Sequence, residues 1–320
     1  MKRVLWLLTC TGLIAAACGC READRPGGAA KGRLFGVSFQ TMNNPFFVEL
    51  NAGIEQVVEA HGDRLVTLDA QWNSLKQKND VSDLILQGAA GVFLNPVNWE
   101  GVKGTLLQAK RKDIPCIIVD SPAKDMDLVL CTVASDNVEA GRLAARALWT
   151  VRPHPKVVIL HRSVNKACID RVAGFMEEVA EHPGVTILDT QEAQGTTEGA
   201  RPVMRDVLGR FPDLDAVFAI NDPNALGVIS ALESAGKLTQ AIIVTVDGSP
   251  EGIAAIQAGK LYSTSAQFPR DIGRIAAEKM YDHLAGKAVE KNVKVRVELI
   301  TKQNAASFLK KEPGHGAGNR

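Results

Sequence analysis

Aromatic residues are scarce, at 5% of the 320 residues. Any local cluster of them therefore needs an explanation. Excess charge is missing too: the formal net charge is +1, which lacks the basic footprint of a nucleic-acid binder. No hydrophobic run after the first twenty residues is long enough to span a bilayer. The spacings G-x-S-x-G, H-E-x-x-H, G-x-x-x-x-G-K-[ST] and G-x-G-x-x-G are all absent, so four common catalytic or nucleotide-binding devices are excluded. The histidines are scattered, and the cysteines lack metal-ligand spacing. What remains is an ordinary globular composition, 46% hydrophobic, in a chain long enough for one large or two medium domains.

The N-terminus predicts export. Lys2 and Arg3 precede the apolar run "VLWLLTCTGLIAAA", which is too short to cross a membrane, and small residues lead into Cys18. This pattern is similar to a lipobox, with residues 1–18 as a lipoprotein signal peptide and Cys18 as the lipidated residue. Cys20 is the alternative, as is an ordinary cleaved signal. Residues 19–32, which include "READRPGGAAKG", read as a flexible tether. The other cysteines, Cys116, Cys131 and Cys168, are odd in number and read as buried free thiols.

Beyond the tether, short apolar runs alternate with helix-length amphipathic segments. Strands are predicted at 34–40, 64–70, 91–97, 114–120, 128–136, 156–162, 185–191, 216–222, 241–248, 261–267 and 293–301. This alternation predicts parallel sheets covered by helices on both faces. So many strands suit two lobes better than one open sheet, with a seam near "TVASDN" (132–137). Residues 304–320 read as a loose tail.

Ligands of such sheets sit beyond the carboxyl ends of the strands. The residues at those ends are Gln40, Asn43 and Asn44, Asp120, Asn221 and Asp222, Asp247, and Gln267. Carboxylates and amides of this kind bond neighbouring hydroxyl groups in pairs. Asp and Asn also cap helices, and Pro45 and Pro223 fit first helical positions. On that basis Asp222 is assigned to a cap, and Asn221 is left to face the cleft. Phe46 and Phe47 in "TMNNPFFVEL" either anchor the first helix on its sheet or wall a sugar ring, whose C–H faces suit an aromatic surface. Arg171 counts only if its helix faces the cleft; otherwise it is a solvated surface group. His161 and Arg162 are weaker choices. A carboxylate pair could serve a glycosidase. However, "IVDSP" and "VDG" carry no feature that would raise a carboxyl pKa by burial.

The stretches "NNPFF", "IPCIIVD", "ASDNVEAG", "AVFAINDPNALG", "VDGSPEG" and "STSAQFP" together resemble the ribose-binding-type periplasmic sugar-binding proteins of bacterial ABC transporters, over residues 33–303. The resemblance implies an α/β protein of the type 1 periplasmic-binding fold, with two doubly wound parallel-sheet lobes joined by a three-strand hinge. It assigns 33–135 plus 268–296 to the N-terminal lobe and 136–267 plus 297–303 to the C-terminal lobe. It implies Asn44, Phe46, Phe47, Asp120, Arg171, Asn221, Asp247 and Gln267 as ligand contacts, with no cofactor, no metal and no catalysis.

Three departures weigh against D-ribose and toward a different or bulkier sugar or polyol. Ser121 stands where ribose binders carry Arg, Gly195 where they carry an aromatic, and Gln40 where they carry Ser. Gln40, Asn43 and Ser121 join a second rank of contacts. Trp72 and Trp99, each after a first-lobe strand, either widen the apolar platform or pack their own loops. The resulting expectation is a monomeric, lipid-anchored, periplasmic or cell-surface protein that captures a monosaccharide or polyol and delivers it to an ABC permease. The rivals are a sugar sensor for a chemoreceptor or two-component system and, less favoured, a secreted glycosidase. A sugar-responsive transcription regulator would need a helix-turn-helix where this chain carries an export signal.

Overall fold

The computed structural model describes residues 32–311. The expected signal peptide, Cys18, Cys20 and the tether up to residue 31 lie outside the described residues, as does the tail beyond 311.

The chain alternates strand and helix as the apolar periodicity predicts. In order it forms β1 (Leu34–Phe39), α1 (Pro45–Ala60), β2 (Arg64–Asp69), α2 (Ser74–Leu86), β3 (Gly91–Leu94), α3 (Lys103–Lys110), β4 (Cys116–Val119) and β5 (Cys131–Ser135). There follow α4 (Asn137–Val151), β6 (Lys156–His161), α5 (Lys166–Ala180), β7 (Thr186–Glu192), α6 (Thr197–Arg210), β8 (Ala216–Ala219), α7 (Asp222–Ser234), β9 (Ile242–Asp247), α8 (Pro250–Gln257) and β10 (Ser263–Ala266). The last elements are α9 (Pro269–Leu284), β11 (Asn292–Val295), β12 (Glu298–Thr301) and α10 (Ala305–Lys311).

Two six-stranded sheets result, ordered β11-β5-β4-β3-β1-β2 and β12-β10-β9-β8-β6-β7. The first is parallel throughout, and the second is parallel except for β12, which runs antiparallel to β10. Strands β3, β4 and β8 are buried at every residue, as continuous apolar runs covered on both faces must be. The chain passes between the sheets after β5, after β10 and after β11. The predicted strand 293–301 is thus two strands in different sheets, split around Arg296 and Val297.

Close helix crossings set where the lobes present their side chains. A β-carbon on Gly141 of α4 would lie 1.9 Å from the Arg171 carbonyl oxygen, and one on Gly174 of α5 would lie 1.9 Å from that of Val138. Only glycine permits this approach, which brings the first turn of α4 against the turn of α5 that carries Arg171.

Residues 305–311 are not the loose tail expected. They form α10, in which Ala305 and Phe308 are buried, and the Phe308 ring meets Phe268 edge-on at 6.1 Å. A single aromatic at helical spacing from an alanine was too short a signal to separate a docked helix from a polar tail. Cys116, Cys131 and Cys168 are free and buried.

Candidate ligand-binding cleft

A cavity of about 520 Å³ lies between the carboxyl ends of the two sheets. This is an ordinary size for a small-molecule site. Of the strand-end residues named from the sequence, all but Asp222 contribute to its lining. Gln40, Asn43, Asn44, Phe46, Phe47, Trp72 and Asp120 come from the first lobe, and Arg171, Asn221, Asp247 and Gln267 from the second lobe and the crossings. Ser121 and Trp99 do not line it. Ser121 instead donates to Asn165 Oδ1 at 3.2 Å and accepts from the Ala167 N–H at 3.3 Å, so it joins the lobes. Trp99 also reaches across the lobes, its backbone N–H donating to the Val164 carbonyl at 3.3 Å. Its ring has Lys124 and Lys166 beside it, at 5.8 and 5.9 Å from the centroid.

The aromatic wall is built by the start of α1. Asn44 caps that helix by accepting from the Phe46 N–H at 3.0 Å, and Pro45 takes the first position. Phe46 and Phe47 then meet edge to face at 5.3 Å and 89°, and Phe47 also contacts Phe39 at 5.7 Å. The rings are anchored on the sheet and also line the cavity.

The carboxylates are buried and oriented. Asp120 is 4% exposed, and its Oδ2 accepts from Asn95 Nδ2 at 2.9 Å. Asn95, which the sequence reading did not single out, also accepts from the Gln40 N–H at 3.2 Å and so ties two lining residues together. Burial pushes the Asp120 pKa up to about 7, against the pull of Arg171. Asp247 is raised as well by burial, again opposed by Arg171. The sequence had offered no sign of raised carboxyl pKa values. Burial depends on which helices cover the strand tips, and no local spacing carries that.

Asp247 Oδ1 accepts from Gln267 Nε2 at 2.7 Å and lies 3.5 Å from an Arg171 guanidinium nitrogen. Arg171 does face the cleft. It is 4% exposed and donates to Asn137 Oδ1 and the Ile220 carbonyl, both at 2.9 Å. Gln267 Oε1 is buried without a hydrogen-bond partner among the described residues, so an acceptor is left for a guest to use.

Asp222 is not the helix cap expected of it. Asn221 is the cap, accepting from the Asn224 N–H at 3.0 Å while its Nδ2 donates to the Gly195 carbonyl at 3.0 Å. Asp222 is the first helical residue. It is fully buried and accepts from the Ser249 N–H and hydroxyl, both at 2.7 Å, and from the Thr264 hydroxyl at 2.9 Å. Asx residues adjacent in sequence compete for the cap position, and the hydroxyls that claim Asp222 come from the N-cap of α8 and from β10, both distant in sequence.

Three lining residues hold backbone conformations that L-residues avoid: Trp72 with φ +60°, Asp120 with +66° and Asp247 with +142°. Such outliers cost on the order of 1–3 kcal/mol each and cluster at functional sites.

Comparison with known proteins agrees with this geometry. The family described as "Periplasmic binding protein domain" matches residues 35–288. The chain belongs to the periplasmic binding protein domain family. Among its relatives, the "Ribose import binding protein RbsB" of Bacillus subtilis is 32% identical over 306 residues, covering 94% of this chain and 99% of that one. The protein of that name from Escherichia coli is 35% identical over 265 residues, covering 82% and 88%. A solved relative is the periplasmic binding protein component of the arabinose ABC transporter from Shewanella sp. ANA-3, bound to α- and β-L-arabinofuranose. It superposes with a TM-score of 0.82 at 28% identity, covering 87% of this chain and 95% of that one. The two-lobed α/β fold is thus that of ribose-binding-type periplasmic sugar-binding proteins, and the cleft occupies the interlobe position of this periplasmic binding protein.

Proposed function

We propose that this protein is an extracytoplasmic solute-binding protein that captures a monosaccharide or polyol between its lobes and presents it to an ABC importer. The observation that carries the reading is the convergence of Phe46 and Phe47 with Asp120, Arg171, Asp247 and Gln267 around one cavity. An aromatic wall suits the C–H face of a sugar, and the buried carboxylates and amides take its hydroxyls in pairs. Ligand contacts are assigned to those six residues together with Asn44 and Asn221, and secondarily to Gln40, Asn43 and Trp72. Closure excludes water, so each hydroxyl–carboxylate bond acts in a lower dielectric.

The protein works as a monomer tethered to the membrane by lipid on Cys18 or Cys20. Several acyl chains anchor firmly where one would not. The pattern "LIAAAC" supports the anchor. Metabolic labelling with a fatty acid tests it: incorporation lost in Cys18→Ser and kept in Cys20→Ser assigns Cys18, and no incorporation in the wild type refutes it.

A thermal-shift screen over pentoses, hexoses, polyols and nucleosides tests the capture role. A ligand held at 100 times its Kd stabilises the native state by about 2.7 kcal/mol. No shift with any neutral sugar or polyol refutes the reading. A second reading, a glycosidase, is favoured by one observation, the raised pKa of Asp120, since a general acid needs such a carboxyl. Turnover of chromogenic glycosides would establish it.

A further inference from the structure

Arg162 follows β6 in the second lobe, and Trp72 follows β2 in the first. Both line the cavity, and the guanidinium carbon lies 3.9 Å from the centre of the Trp72 ring system. This is the face contact of a cation–π pair, and it is made across the cleft. Arg162 has no hydrogen-bond acceptor and no ion pair among the described residues. Glu192, the acidic group near it, is engaged elsewhere, accepting from the Ser163 N–H and hydroxyl at 2.8 Å and from the Gln194 N–H at 3.1 Å. Burial also weighs on the charged form of Arg162, whose pKa is lowered. A half-buried guanidinium with unused donors is costly unless something occupies the space in front of it.

The charges in the cavity bear on what that occupant is. The buried carboxylates in the lining are Asp120 and Asp247, and the buried cation is Arg171. Arg162 supplies a second positive charge, while Glu198 and Glu251 in the lining are solvent-exposed. With Arg162 in place the interior is balanced, which suits an uncharged guest. In an open form Arg162 would move away with its lobe and leave the first-lobe wall short of a donor.

We propose that Arg162, held by Trp72 across the cleft, is a specificity-determining ligand contact, completed only on closure, that brings the buried lining to charge balance and so fits it to a neutral, hydroxyl-rich guest. The inference rests on the sugar-capture reading. Trp72 orders the guanidinium, and its strained backbone at φ +60° sets the indole where the incoming arginine meets it. The fork of Arg162 then donates to adjacent hydroxyl oxygens. Ammonium in its place keeps the charge but loses both the planar face and the paired donors.

The test is titration calorimetry with D-ribose, L-arabinose, D-galactose, xylitol and myo-inositol, each compared with D-galacturonate. The proteins are wild type, Arg162→Gln, Arg162→Lys, Trp72→Leu, Trp72→Phe and the Arg162→Gln/Trp72→Leu double variant. The wild type is expected to prefer a neutral compound to D-galacturonate. Arg162→Gln and Trp72→Leu should each weaken the best neutral ligand by about 10-fold or more, and Arg162→Lys by about 5-fold, whereas Trp72→Phe, which keeps an aromatic face, should stay within about 3-fold. The double variant should be little worse than Arg162→Gln, because the two side chains act as one unit. Near-wild-type affinity in Arg162→Gln overturns the proposal, as do additive losses in the double variant or a wild-type preference for D-galacturonate. Trp72→Phe also guards against misfolding: if it binds as poorly as Trp72→Leu, the ring is not acting through the arginine and the proposal fails. A wild type that binds none of the neutral compounds overturns this proposal together with the capture reading. A wild type that binds a neutral compound while Arg162→Gln binds it equally well overturns this proposal and leaves capture standing.

Discussion

Ligand affinity is expected to fall as the solution is acidified from pH 8 to pH 5. Asp120 is 4% exposed, one oxygen accepts from Asn95 at 2.9 Å, and burial outweighs Arg171 to bring its pKa up to about 7. A carboxylate accepting two hydroxyls is favoured in its ionised form, so a bound sugar pulls this pKa down and binding below neutrality releases a proton. Two pH units below the free-protein value only about 1% of Asp120 is ionised, so affinity at pH 5 should be lower by about 100-fold, or about 2.7 kcal/mol. Asp247, raised for the same reason, acts with the same sign. The stability of the ligand-free protein runs the other way. A raised carboxyl pKa contributes stability that is fully present below the unfolded value near 3.8 and is lost as pH rises through about 7. Asp120→Asn should therefore raise the ligand-free melting temperature at pH 8 while weakening binding and flattening its pH dependence. Titration calorimetry at several pH values, in buffers of different ionisation enthalpy, measures both affinity and proton release. Affinity constant within 3-fold from pH 8 to pH 5, with no proton released, would refute the reasoning.

Three further outcomes follow from the packing. Phe46→Ala, at the cavity wall, should weaken sugar binding by about 10-fold, whereas Phe39→Ala, fully buried against Phe47, should cost about 3–5 kcal/mol of stability in denaturant unfolding. Gly141→Ala puts a methyl group 1.9 Å from the Arg171 carbonyl. It should cost about 1–3 kcal/mol by urea titration and shift Arg171 enough to weaken binding, while Gly209→Ala, with open space around it, should do neither. Phe308→Ala should destabilise by about 3–5 kcal/mol if α10 is part of the folded body. An unchanged melting temperature there would restore the reading of a loose tail.

Strand and helix alternation was legible because burial on two faces demands continuous apolar runs such as "CIIV" and "AVFA", while the covering helices keep a 3.6-residue period. The polar strand ends were legible for the same reason, since they interrupt those runs at one side of each sheet. Arg162 and Asn165 were not legible as a pair of jaw residues. Their partners Trp72 and Gln40 lie far away in sequence and meet them only when the lobes come together. The roles of Asn221 and Asp222 were exchanged, because either side chain can cap α7 and only Ser249 and Thr264 decide which one does.

Local pattern by itself determined the alternating elements, the two-sheet architecture and the residue types gathered at the strand tips. These depend on periodicity and on chain order, which are properties of neighbours. The tertiary structure alone decided which tips face the cavity, how far burial raises Asp120 and which residues bridge the lobes. Desolvation and cross-cleft contact arise between segments as far apart in the chain as Gln40 and Asn165, and no short stretch of sequence encodes a distance of that kind.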